Sequence, residues 1–79
     1  MALTAVTLPV IERIFEVLDR LGISREAVII PLRPAHPGGV RVLESGRNAG
    51  KLEITVESEQ VFEDWLPELE TMIRQTLAG

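Results

Sequence analysis

The chain has 79 residues, 46% of them hydrophobic and 25% charged, with a net charge of −4 and no cysteine; this is the composition of a single folded domain over residues 1–79, and it excludes disorder, a disulfide framework and a cysteine-ligated zinc site. At this length only ~60% of the surface is buried on folding, so the core is thin and self-association is expected to add to it. The start, MALTAVTLPVI, lacks a basic segment and is cut short by Pro9, and no apolar run reaches the ~18 residues of a membrane-spanning helix, so neither a signal peptide nor a membrane anchor is expected and the cytoplasm is the expected location.

Residues 9–21 are expected to form a helix. Val10, Ile11, Ile14, Phe15, Val17, Leu18 and Leu21 recur at helical spacing. Pro9 suits the first turn, where its missing N–H costs nothing. Gly22 stands where a left-handed C-terminal cap belongs.

Three strands are expected next. Residues 27–33 are rich in β-branched side chains, with Pro31 confining that strand to an edge. Residues 34–39, PAHPGG, form a loop. Residues 40–45 and 51–57 read as a hairpin, and in the second arm Leu52, Ile54 and Val56 alternate with Lys51, Glu53, Thr55 and Glu57. The connection Gly46-Arg47-Asn48-Ala49-Gly50 has the residues a longer hairpin loop needs.

Ser58 is a candidate N-cap for a C-terminal helical stripe of Val61, Phe62, Trp65, Leu66, Leu69, Met72, Ile73 and Leu77. Pro67 interrupts it and predicts a kink, or a short turn at 59–65 with a fresh helix at 67–77. Leu8-Pro9-Val10-Ile11-Glu12 and Leu66-Pro67-Glu68-Leu69-Glu70 share a pattern that reads as two helix starts with proline at the first position. The resulting fold class is α+β: helix, three-stranded antiparallel sheet, helix, as a two-layer sandwich.

Charge is segregated along the chain. Residues 1–23 are net −1, and residues 24–51 carry Arg25, Arg33, Arg41, Arg47 and Lys51 against Glu26 and Glu44, net +3. Residues 52–79 set Arg74 alone against Glu53, Glu57, Glu59, Glu63, Asp64, Glu68 and Glu70, net −6. Opposed blocks of this kind favour complementary docking.

Motifs for chemistry are sparse. Gly46 to Lys51 has three residues between its glycines and Leu52 after the lysine, whereas a phosphate-binding loop needs four and a Ser or Thr; it reads as a hairpin loop with a basic tip. Leu21-Gly22-Ile23-Ser24-Arg25-Glu26-Ala27-Val28 resembles the turn of a helix-turn-helix, which implies that Ser24 caps a recognition helix and Arg25 faces a DNA groove. The run Val28-Ile29-Ile30-Pro31 favours a strand at the same place. Pro31, Pro34 and Pro37 recur at period three, one face of a polyproline II helix, and read as a stiff connection. His36 is the only histidine and has no ligand cluster in sequence. Ser24 and Ser58 have turn or capping roles, and the carboxylates Glu63, Asp64, Glu68 and Glu70 read as a solvated helix face.

The expected function is therefore binding rather than catalysis: a small protein–protein interaction or regulatory module, self-associating as a homodimer and holding an unidentified protein partner through Phe62, Trp65, Leu66, Leu69, Met72 and Ile73. No catalytic residue, metal or cofactor is expected. The alternative is a nucleic-acid-binding protein using Arg25, Arg33, Arg41, Arg47 and Lys51, whose affinity must fall steeply with salt.

Overall fold

A computed structural model of the chain describes residues 6–78. The first five residues of the N-terminal segment considered above lie outside the described residues. Two helices cover one face of a three-stranded sheet: α1 (Leu8–Arg20), β1 (Val28–Ile29), β2 (Gly39–Val42), β3 (Leu52–Thr55) and α2 (Phe62–Ala78). The α+β sandwich expected from the pattern is the fold observed.

Helix α1 starts and stops where its residues dictate. Pro9 lies in the first turn. At the other end, Gly22 adopts φ +75°, its N–H reaches the Asp19 carbonyl at 3.2 Å, and the Ile23 N–H reaches the Leu18 carbonyl at 2.9 Å. That pair of bonds is a Schellman cap, and it needs a residue free of the left-handed penalty.

The sheet is mixed, which corrects the expectation of an antiparallel one. Its order is β1-β3-β2, with β1 parallel to β3 (Val28 beside Leu52) and β2 antiparallel to it (Arg41 beside Glu53). Residues 30–38 are the cause. They leave β1 and cross the end of β3, where the Ala35 N–H bonds the Val56 carbonyl at 3.2 Å and Ala35 bridges Glu57 in parallel. The chain therefore enters β2 on the far side of β3. The crossing is close: a Cβ on Gly38 would lie 2.3 Å from the Glu57 backbone nitrogen and 2.5 Å from the Thr55 carbonyl oxygen, so only glycine fits.

Strand β1 is shorter than the expected 27–33 at both ends: Arg25–Ala27 forms a 3-10 turn, with the Ser24 hydroxyl accepting from the Glu26 N–H at 3.3 Å, and residues 30–33 already belong to the crossover. No recognition helix follows that turn; the chain passes directly into β1.

Two expectations for the C-terminal segment are also corrected. Ser58 is not the helix cap: it is buried, and the first carbonyl to accept helical bonds is Val61, from Asp64 at 3.0 Å and Trp65 at 3.1 Å. The bend at 58–60 is instead turned around Glu57, whose carboxylate accepts the Glu59 N–H at 2.9 Å. Nor does Pro67 divide the segment into a turn at 59–65 and a fresh helix at 67–77, the second of the two outcomes expected there: the helix runs unbroken from Phe62 to Ala78. Proline there forfeits one bond, to the Glu63 carbonyl, while Trp65, Leu66, Leu69 and Ile73 anchor both sides of it in the core. The shared Leu-Pro pattern thus marks unlike positions, a helix start in α1 and a helix interior in α2.

The core combines Ile14, Val17 and Leu18 of α1, Leu52, Ile54 and Val56 of the β3 segment, and Trp65, Leu66, Leu69 and Ile73 of α2, with Val6 beside them. The helices lie parallel. Arg13 meets Glu63 and Arg20 meets Glu70, so contacts advance in the same direction along both.

Candidate interaction surfaces

The apolar stripe of α2 is turned inward. Trp65, Leu66, Leu69 and Ile73 are buried, and Phe62 and Met72 are half-buried against the core. A partner approaching the folded chain finds only Phe62 and Met72 of the six partly open. What α2 offers solvent is its charged face, with Glu63, Asp64 and Glu68 exposed.

Between the helices lies a concavity of about 720 Å³, lined by Val17, Leu66 and Pro67 and by Arg13, Glu16, Arg20, Glu63, Glu70 and Thr71. Its charges are largely paired within the chain. Arg13 donates to Glu63 at 2.9 Å and to Glu16 at 2.7 Å, and Glu70 lies 3.3 Å from Arg20 and 3.2 Å from Arg74. Glu63 first and Glu16 second hold the Arg13 guanidinium above its usual pKa. The two helix faces are latched to each other rather than held open for a ligand.

The five basic residues proposed for nucleic acid are not all gathered at one end of the sheet. Arg25 lies over the Phe15 ring, 4.7 Å from its centre, and pairs with Asp19 at 3.0 Å. Arg41 pairs with Glu53 at 2.9 Å. Arg33 follows the C-terminal end of β1, whereas Arg47 and Lys51 precede the N-terminal end of the parallel strand β3, so they sit at opposite ends of the sheet.

His36 is exposed and lies 3.4 Å from Glu57 and 3.9 Å from Glu59. Glu57 also accepts the Gly38 N–H at 2.7 Å. This carboxylate fastens the crossover segment to the end of β3. Among the described residues no group of three or more metal-binding side chains is arranged to hold an ion, and no helix is long and apolar enough to cross a membrane.

The surface that sequence reasoning did not single out is the outer edge of β2. Leu43 donates to the Lys51 carbonyl at 2.9 Å, continuing the register Gly39–Thr55 and Arg41–Glu53. In an antiparallel ladder such pairs alternate, so the backbone groups of Val40 and Val42 point away from β3. Val42 is 42% exposed, and Arg41, Val42, Leu43, Glu44 and Ser45 line a shallow concavity of about 440 Å³ along that edge. Strand order is what exposes Val42, and strand order depends on the crossover, which has no local signature.

No protein family, curated protein or solved structure matches the chain. Its functional reading rests on its own surfaces.

Proposed function

We propose that this chain is a small cytoplasmic protein-interaction module that self-associates as a homodimer. The observation supporting it is the edge of the sheet: among the described residues β2 ends the sheet with outward N–H and C=O groups beside the exposed Val42, an arrangement that templates strand pairing. The thin core adds to the case. A chain of this size gains stability by burying more apolar surface against a second copy. The acidic face of α2 is then free for a second protein partner carrying basic residues.

Sedimentation equilibrium over a range of concentrations tests the proposal. A mass rising from 8.7 kDa toward twice that value supports it. A mass that stays at one chain up to millimolar concentration overturns it.

A further inference from the structure

We infer that the second copy docks on the outer edge of β2, pairing the two β2 strands antiparallel about a two-fold axis through Val42 and joining two three-stranded sheets into one of six. This rests on the self-association proposed above.

The other surfaces suit self-pairing less well. The outer face of the helix layer carries Glu12, Arg13, Glu16, Asp19, Arg20, Glu63, Asp64 and Glu68, all exposed. The β1 edge is two residues long, and Pro31 beyond it has no N–H to offer. The Leu32 carbonyl beyond that is taken by the Val6 N–H at 2.9 Å. The edge 39–43 holds no proline or lysine, the residues that usually guard an edge. Its one charge, Arg41, is drawn to Glu53 of the neighbouring strand.

Backbone geometry and charge together select the register. Only residues whose backbone groups face outward can form the new hydrogen-bonded pairs, which means Val40, Val42 and Glu44. An axis at Arg41 would set Arg41 of one copy directly against Arg41 of the other, and like charges directly opposite are destabilising. An axis at Val42 sets Val42 against Val42 and Arg41 against Leu43, and leaves each Arg41–Glu53 pair intact. The exposed valine becomes the centre of the interface. The two α2 helices, each packed over its own β2, approach on the same side. The half-buried Met72 lies nine residues past Glu63, about two and a half turns, and so faces away from α1 toward that approach. A five-residue edge alone falls short of the ~1,200 Å² that stable interfaces bury, so the dimer is concentration-dependent.

The test uses sedimentation equilibrium on the full chain and on variants. Val42→Pro removes an outward N–H and no bond to β3, and Val42→Lys places a charge on the axis. Leu8→Lys changes an exposed residue at the start of the neighbouring helix α1 and serves as control. Trp65, buried and the only tryptophan, reports whether each variant is folded. With no native cysteine to interfere, Val42→Cys, Arg41→Cys and Leu43→Cys are oxidised mildly. The expected result is a dimer for the parent and Leu8→Lys, at least tenfold weaker association for both Val42 variants, and disulfide capture most efficient at position 42.

If the parent dimerises and the folded Val42 variants dimerise as well, the edge inference is overturned while self-association stands. Capture most efficient at position 41 or 43 overturns the register. A parent that remains one chain at every concentration overturns both proposals. Should Val42→Pro fail to fold, Val42→Lys and the disulfide pattern decide.

Discussion

Arg13 of α1 holds the carboxylate of Glu63 of α2 with two guanidinium nitrogens, at 2.9 and 3.3 Å, and one helical stretch further on Arg20 meets Glu70 at 3.3 Å. Residues fifty apart in sequence are thereby neighbours twice over, and the parallel setting of the helices follows from that repeat. These groups are well exposed, apart from the less exposed Glu70, so water and salt screen them. Glu63→Gln is expected to lower the thermal midpoint slightly at low salt. The difference should vanish at 1 M salt, where the screening length is ~3 Å. A salt-independent loss would mean that Glu63 acts through packing instead.

Far larger effects belong to the core. Ile54 and Leu69 are wholly buried, and replacing either with alanine removes apolar contacts and leaves a cavity, at a cost of about 2–5 kcal/mol. In a domain this small that amounts to a fall of roughly 10 °C or more in the melting midpoint. Urea titration followed by Trp65 fluorescence measures it. A cost below ~1 kcal/mol would show that the layers collapse around the cavity far more readily than native cores do.

Adjacent glycines should behave oppositely. A methyl group on Gly38 meets the backbone of Thr55 and Glu57, whereas one on Gly39 meets nothing within 4 Å. Gly38→Ala is therefore expected to cost about 1–3 kcal/mol, the usual range for forced overpacking, and Gly39→Ala to be close to neutral. Equal losses from both would deny that the crossover packs backbone against backbone.

Glu57 makes the same junction sensitive to acid. Hydrogen bonds from the Glu59 N–H and then the Gly38 N–H, with His36 adding to them, hold its pKa below the usual glutamate value against the opposing effect of burial. A carboxyl depressed in the folded state stabilises fully above its unfolded value of about 4.3. That contribution is lost as pH falls through the lower folded value. Stability measured by urea titration should thus decline from about pH 4.3 downward, and Glu57→Gln should be less stable at neutral pH with a shallower acid limb. His36→Ala should leave most of that limb in place, because the backbone bonds are the larger cause. An unchanged acid limb in Glu57→Gln would remove Glu57 from the account.

Legibility in the sequence tracked how local each cause is. The span of α1, its glycine cap and the inward face of Leu52, Ile54 and Val56 followed from periodicity, because one buried face enforces one period. The parallel pairing of β1 with β3 did not. It depends on residues 30–38 crossing the end of β3, and the signal for that crossing is the fit of Gly38 against two backbone segments, which only the assembled fold reveals. The stripe containing Trp65 and Leu69 was legible as apolar, but sequence alone does not distinguish an apolar face used inside the chain from one offered to a partner. Val42 illustrates the reverse: a core-type residue left exposed by its place in the strand order. Charge segregation was legible too, yet folding partners Arg25 and Arg41 locally and sends Arg33 and Lys51 to opposite ends of the sheet.

Pro67 supplies the most direct test of how α2 is held. Propensity alone predicts a break, and the helix continues because buried residues on both sides, Leu66 and Leu69 nearest, fix its path. The cost is the bond that a residue with an N–H would give to the Glu63 carbonyl. Pro67 is exposed, so replacing it loses little packing, and the Thr71 hydroxyl bond to its carbonyl, 3.2 Å long, survives any substitution. Pro67→Ala is therefore expected to stabilise the chain, by about 1–3 kcal/mol given the gap between proline and alanine within helices, visible as a higher urea midpoint with an unchanged slope. A lower midpoint would mean that the proline ring, lining the groove with Val17 and Leu66, contributes more by packing than it removes from the helix.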